Sequence, residues 1–299
     1  GLRYYPKAVV AVPFTPATDR RILLHSDASD EVGPALVQRL RDLALELGLS
    51  SIHWLFVTAE EKALLASLGH LPRTTVQYHW SNRGWSSFED YLGAMRGKRR
   101  REIRRERRRL AESGIRVEML SGSQLGGEEW AAIDRFYRST AARKWGHPYL
   151  TPSFFEEIRS TFSEAVRFAV ARREGQILAG ALFFERGDAL YGRYWGCDAR
   201  HQHLHFETCF YAPIEYCIAR GVQRYEAGAQ GEHKIPRGFD PVPVHSAHWI
   251  AEPSLASAVE DFCRSEGAHT RRVIELLARH SPFGEPLGGL GVLRGGSGG

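Results

Sequence analysis

VRFAVARREGQILAGALFFERGDALYGRYWG, residues 166–196, is the stretch that decides the fold. It divides into three apolar runs, 166–172, 177–185 and 189–196. Glu174-Gly175 and Gly187-Asp188 stand between them, and such pairs close tight hairpins. The block predicts an antiparallel three-stranded meander. Residues 206–219 follow with helical spacing and a glycine stop, Gly221. A short strand at 222–227 and a polar loop at 228–238 complete the unit. Further on, 245–250 reads as a last strand and 254–279 as a helix.

Upstream, 8–12 and 21–24 are short apolar runs separated by the turn-rich 13–19, and both predict strands. Asp30 is placed to cap a helix over 31–47, in which Leu36, Leu40, Leu43 and Leu47 follow helical spacing. Residues 51–57 (SIHWLFV) read as a buried strand, 59–68 as a helix and 74–80 as an alternating strand. A long helix is predicted over 88–113, with a narrow apolar stripe of Leu92, Met95, Ile103 and Leu110. Residues 115–120 look extended, and 128–143 and 154–162 helical. Strand, helix, strand occurs twice, at 8–57 and 189–227. The first copy lacks the leading strands and reads as truncated at its front edge. The chain starts with Gly rather than Met. The tail 284–299 holds eight glycines in 16 residues, a composition that predicts disorder.

The chain has 299 residues, 43% of them hydrophobic and 25% charged. That is ordinary globular composition and excludes collagen-like or mostly disordered chains. No apolar run is long enough to span a bilayer, and the first residues lack the pattern of a secretory signal. A cytoplasmic protein is expected. The cysteines, 197, 209, 217 and 263, form no CxxC, so reduced and mostly buried thiols are expected. The net charge is +5, but residues 96–109 alone carry ten Lys or Arg and two acids. The other 285 residues therefore sum to −3. A charge run is ordinarily a solvated helix face, yet +8 in 14 residues repels itself unless a polyanion offsets it. Arg100, Arg101, Arg104, Arg105 and Arg108 are the candidate nucleic-acid contacts, with tRNA as the natural partner.

Several segments are similar to one bacterial family. The basic run 98–114 (KRRREIRRERRRLAESG), 191–196 (YGRYWG), 204–207 (LHFE), 226–234 (EAGAQGEHK) and 246–250 (SAHWI) resemble the FemAB-like proteins of peptidoglycan biosynthesis or recognition. The order of three antiparallel strands, helix and strand is that of the GNAT acyltransferase core. The resemblance implies an α+β (mixed α/β) fold of tandem GNAT-like domains. Residues 1–85 would form a partial first domain, 86–163 a basic helix and helical connector, 164–283 the second domain and 284–299 the tail. It also implies transfer of an aminoacyl or acyl group to an amine of a cell-wall or other small acceptor. Two alternatives stand beside it: an acyl-CoA-dependent N-acetyltransferase, and a non-catalytic module binding cell-wall precursors or RNA.

Acyl transfer to an amine needs a proton acceptor, an oxyanion donor and a hold on the acyl donor. Residues 226–234 place Glu226, Gln230, Glu232, His233 and Lys234 in one loop, with Gly228 and Gly231 permitting close approach. Glu226 or His233 is the candidate base. Lys234 is a candidate for holding a carboxylate or phosphate, or the oxyanion. Gln230 and Glu232 are candidate substrate contacts. So are His205 and Glu207, although an acid in a first helical turn also suits the dipole. Tyr191, Arg193 and Trp195 alternate on a strand and are expected to share a face; Tyr191 and Arg193 are candidates for an anionic or planar ligand. The polar and aromatic run 143–147 is a candidate cleft rim. The junction 197–206 (CDARHQHLHF) has no RxxGxG/A pattern to wrap a pyrophosphate. This favours aminoacyl-tRNA over acyl-CoA as co-substrate, with no resident cofactor. His201, His203 and His205 alternate, and with His233 they raise a metal site as a possibility; no acid or Cys stands at motif spacing, so no metal is assigned.

Overall fold

The computed structural model describes residues 4–143, 146–229 and 231–283. The Gly-rich tail, Lys144, Trp145 and Gln230 lie outside the described residues. The strands are β1 (Ala8–Val10), β2 (Ser51–Val57), β3 (Leu71–Ser81), β4 (Arg116–Ser121), β5 (Val166–Arg173), β6 (Gln176–Arg186), β7 (Ala189–Cys197), β8 (Arg224–Glu226) and β9 (Asp240–Ile250). The helices are α1 (Val32–Glu46), α2 (Ala59–Ser67), α3 (Phe88–Gly93), α4 (Gly97–Glu112), α5 (Gly127–Arg143), α6 (Pro152–Thr161), α7 (Leu204–Phe206), α8 (Ala212–Arg220) and α9 (Pro253–Ala278). All nine strands join one mixed sheet, ordered β1-β2-β9-β3-β8-β7-β6-β5-β4.

The meander β5–β6–β7 forms as its turn residues require. Glu174 and Gly175 both take positive φ, 53° and 82°, as does Gly187 at 59°. Those are conformations that twisted two-residue hairpin turns demand. Both copies of the strand–helix–strand repeat become parallel steps: β1 pairs parallel with β2, and β7 with β8. Strand β9 comes late in the chain but pairs antiparallel with both β2 and β3. It thereby bridges the two first-half strands, and β3 in turn pairs antiparallel with β8 to join the halves into one sheet.

Four sequence expectations are corrected. Residues 21–24 form no strand, because the Glu61 carboxylate accepts the backbone N–H groups of Arg21 and Ile22 at 2.6 and 2.8 Å. A side chain there takes the place of a neighbouring strand. The helix over 88–113 is broken into α3 and α4. Between them Met95 bridges to Phe283, and the Arg96 N–H donates to the Pro282 carbonyl at 2.8 Å. The stripe itself holds: Leu92, Met95, Ile103 and Leu110 are all buried. In α1 the buried line is Gly33, Val37 and Ala44, while Leu36 and Leu43 are exposed. Small residues let that helix sit close to the sheet. Nor does Asp30 cap it, for the cap position is Glu31 and makes no side-chain cap bond.

The core that frames the later cleft lies between β6–β8 and the α3, α4, α8 layer, around Trp80, Tyr91, Phe183, Phe210, Tyr225 and Phe239. Burying each such ring contributes about 1.5–3 kcal/mol. The opposite face is covered by α5 and α6, whose Phe136, Tyr137 and Phe155 join one core cluster with Phe168 of β5. Gly196 makes that second layer possible. A Cβ there would lie 2.5 Å from the Phe136 carbonyl oxygen, so only glycine lets α5 cross β7 so closely. All four cysteines are free thiols, with Cys197, Cys217 and Cys263 buried.

Candidate active site

Strands β7 and β8 pair over three residues only, Ala189–Tyr191 against Arg224–Glu226. Strand β7 then runs on to Cys197, while the chain leaves the sheet at Ala227 and turns through Gly228 at φ 83°. The divergence opens a cleft of about 900 Å³. Gly192 and Trp195 line one wall, and Ala227, Gly228, His233 and Lys234 the other. Arg143, Gly146 and His147, from the polar run expected at the rim, also line it.

A β-bulge alters one expectation. Strand β7 pairs Tyr191 with Phe184, Gly192 with Phe183 and Tyr194 with Leu182, so one residue is extra. The alternation reverses across the bulge. Trp195 therefore packs on the α8 side, donating its indole N–H to Thr208 Oγ1 at 2.8 Å, and does not share a face with Tyr191. Arg193 reaches the cleft mouth, where it donates to Tyr194 Oη at 2.8 Å and to the Phe14 carbonyl.

Lys234 sits in a 3-10 turn, Glu232–Arg237, and is buried. Its ammonium donates to the Gly228 carbonyl at 2.6 Å, tying the two ends of the loop together. Burial pushes its pKa down to about 8. The thiol of half-buried Cys209 near it is pushed up to about 12 by the same cause. His233 is depressed by burial and by Lys234 and Arg237, which keeps its imidazole neutral at pH 7. Gly231 at φ 114° lets this ring fold back: a Cβ there would lie 2.2 Å from His233 Cε1. His205 lies 6.3 Å from the His233 ring and packs edge-on to Trp195 and Phe210. The structure thus brings His205, His233, Lys234 and Arg193 to one cleft. Glu232 is exposed.

Besides exposed Glu232, three predicted residues are placed outside the cleft: Glu207, Glu226 and Tyr191, whose hydroxyl accepts from Arg224 at 3.1 Å. Glu207 faces α4, where Arg107 donates to both its carboxylate oxygens at 3.1 Å. Glu226 follows Tyr225, whose ring lines the cleft, and alternation turns its carboxylate to the opposite face of β8. There it lies beside Tyr191, with Arg224 Nε at 3.3 Å and His79 Nε2 at 3.8 Å. Burial raises its pKa to about 7, opposed by Arg224. Burial likewise drives His79 down to about 3, helped by Arg224 and Lys234.

The sequence reading missed His79 and a buried set behind His233. Arg237 donates to the His233 carbonyl at 2.8 Å and to Tyr211 Oη at 2.9 Å, and pairs with Glu106 at 3.3 Å. Its guanidinium also stacks 3.5 Å from the Phe206 ring centre. This anchors the 3-10 turn to α4. The available signal was Glu106 at a stripe position of the basic helix, three residues after Ile103 and four before Leu110.

Helix α4 buries Ile103, Glu106 and Leu110. Its outer side forms a groove lined by Lys98, Arg101, Arg104, Arg105 and Arg108, with one acid, Glu102, which pairs with Arg99. Arg104 pairs with Glu89, and Arg108 with Glu112 at 3.6 Å. Arg100 donates to the Gly93 carbonyl at 3.2 Å. Arg101 and Arg105 have no ion-pair partner among the described residues. Among those residues, no group of three His, Cys, Asp or Glu could hold a metal ion, and no helix is long and apolar enough to cross a membrane.

A meander, a helix and a parallel strand that splits away from its neighbour define a mixed α+β protein with a GNAT-like core. The chain belongs to the FemAB-like family of peptidoglycan biosynthesis or recognition proteins, whose sequence profile matches residues 1–285. Among solved structures it resembles the C-terminal domain of a putative lysylphosphatidylglycerol synthetase from Agrobacterium fabrum, at 14% identity and TM-score 0.56, covering 78% of each chain. It also resembles FemX, at 13% identity and TM-score 0.53, covering 84% of this chain and 85% of that one. The L-PGS structure from Bacillus licheniformis matches at 12% identity and TM-score 0.51, over 78% and 79%. No curated protein matches the chain significantly.

Proposed function

We propose that the chain is an N-acyltransferase that moves an aminoacyl group from aminoacyl-tRNA to an amine of a cell-wall precursor or other small acceptor. The observation that carries this reading is the three-residue pairing of β7 and β8 and the split beyond it. The exposed edge of β7 there faces a buried lysine and a neutral imidazole. In the transfer, the acceptor nitrogen attacks the ester carbonyl and must lose a proton. His233 is neutral, lines the cleft and takes that proton. Lys234, held by the Gly228 carbonyl, offers its remaining N–H donors to the oxyanion. The ester C–O bond then breaks, and the tRNA hydroxyl leaves with the proton from His233. Glu226 has a suitable pKa but does not line the cleft, so it serves as a buried charge behind β8 rather than as the base.

Two features support tRNA as donor. The junction after β7, residues 197–206, holds no glycine that would let backbone N–H groups close around a pyrophosphate. The basic groove of α4 offers instead a surface for a nucleic-acid backbone. The putative lysylphosphatidylglycerol synthetase from Agrobacterium fabrum shares the fold, and its name fits aminoacyl chemistry. The test uses radiolabelled aminoacyl-tRNAs with lipid- or nucleotide-linked amine acceptors. Transfer that fails in Lys234→Met supports the reading. Transfer from acetyl-CoA, with none from tRNA, overturns the donor assignment.

A further inference from the structure

Far along the sheet from the cleft, two serines and two histidines form one hydrogen-bonded line. Ser51 and His53 stand on β2, Ser246 and His248 on β9, and His53 and His248 are direct cross-strand partners. Alternation places all four on one face, because Ile52, Trp54, Ala247 and Trp249 pack with α1 and α2 on the other. Ser51 Oγ lies 2.9 Å from His53 Nε2. His53 Nδ1 lies 2.8 Å from His248 Nδ1, and His248 Nε2 lies 3.1 Å from Ser246 Oγ.

A neutral imidazole carries one N–H and one lone pair, so a single proton between the two Nδ1 atoms sets the direction of the whole line. With that proton on His53, the Ser51 hydroxyl points its own proton at His53 Nε2. His248 then accepts at Nδ1 and donates to Ser246. This is the relation of nucleophile, base and orienting group. Both rings are held neutral: burial and Lys7 depress His53, and burial with His53 and Arg73 brings His248 down to about 4.

The two ends of the line differ. Ser51 and His53 line a cavity of about 470 Å³, walled by Leu255, Val259 and Phe262 of α9, whereas Ser246 is not among its lining residues. Arg73 at the cavity is already held bidentately by Glu266, at 2.6 and 2.8 Å. Its wall from α9 is therefore apolar and the Arg73 guanidinium is neutralised, which suits an uncharged acyl chain against that wall, while the Lys7 ammonium also lines the cavity.

We propose that Ser51, His53 and His248 form a second reactive site, independent of the cleft, in which Ser51 accepts an acyl group from a carboxylic ester with a short apolar chain. Ser51 Oγ bonds to the carbonyl carbon while its proton passes to His53 Nε2. The ester C–O bond breaks, and the alcohol leaves with that proton. Water then attacks the Ser51 ester, His53 takes a proton from the water and returns it to Ser51 Oγ, and the carboxylic acid departs. His248 is a positioning residue that fixes the His53 tautomer.

A fluorophosphonate probe tests this on the unmodified chain, followed by peptide mass spectrometry. The expected result is phosphonylation at Ser51, with p-nitrophenyl butyrate hydrolysed in parallel. Labelling should slow at least about 100-fold in His53→Gln, the usual loss when a general base is removed. In His248→Gln the amide can still hold the ring, so a partial loss there and a larger one in His248→Leu marks positioning. No adduct at Ser51 in the unmodified chain, or an adduct only at Ser246 or Cys263, overturns the proposal.

Discussion

Replacing Lys234 by Met should stabilise the protein at neutral pH while removing transfer. The Lys234 ammonium is buried and its pKa is lowered from 10.5 to about 8. Below pH 8 the folded state carries the full cost of that buried charge, roughly 3 kcal/mol for a shift of this size. Between pH 8 and 10.5 the unfolded chain holds a proton that the folded chain has shed, so wild-type stability rises with pH across that window. Methionine has similar length and no charge. It removes the cost but loses the bond to the Gly228 carbonyl, about 1 kcal/mol. The variant should then exceed wild type by about 2 kcal/mol at pH 7 and fall about 1 kcal/mol below it above pH 10.5. Urea denaturation of both proteins at pH 7, 9 and 10.5 reads the difference, in which other titrations cancel. Transfer should drop about 100- to 1000-fold, as for loss of an oxyanion donor. A stability difference that stays flat from pH 7 to 10.5 would refute the buried-ammonium account of Lys234.

Three further outcomes are expected. Glu226 has its folded pKa raised to about 7, so wild type loses stability as pH climbs from about 4.5 through 7; Glu226→Gln should match wild type at pH 4.5 and exceed it by roughly 3 kcal/mol at pH 8, as monitored by denaturation. Gly231→Ala sets a Cβ against the His233 ring at φ 114° and should cost about 1–3 kcal/mol, with transfer falling further than stability explains. In filter-binding titrations across salt, the double change Arg101→Ala with Arg105→Ala should weaken tRNA binding and flatten the log–log salt slope by roughly 1.5; an unchanged slope would remove α4 from the interface.

Local chemistry made the second half of the fold legible. Turn pairs at 174–175 and 187–188 and apolar runs of strand length fixed the β5–β7 meander to within a residue or two. Those signals act over a few neighbours, so they survive in a one-dimensional reading. The Leu92–Leu110 stripe was equally visible, because burial follows from side-chain type at helical spacing. The break between α3 and α4 was not, since it depends on Phe283 and Pro282, nearly 190 residues away. The run 21–24 failed for a similar reason: Glu61 satisfies its backbone from a different element.

Within the candidate site, residue type marked the loop 226–234, where glycines and charged side chains crowd together. What alternation alone could not tell was which of them meet. A single extra residue in β7 sends Trp195 to the α8 side, and the step from Tyr225 to Glu226 carries the carboxylate away from the cleft. Sequence determined the β5–β7 strands, the charge and apolar stripe of the basic helix and the charged loop, because propensity, turn geometry and charge belong to the residues themselves. Tertiary structure decided the split of β7 from β8, the lowered pKa of Lys234 and the Ser51–His53–His248 line. Each of those depends on distances between segments far apart in the chain, and on how much water their packing excludes.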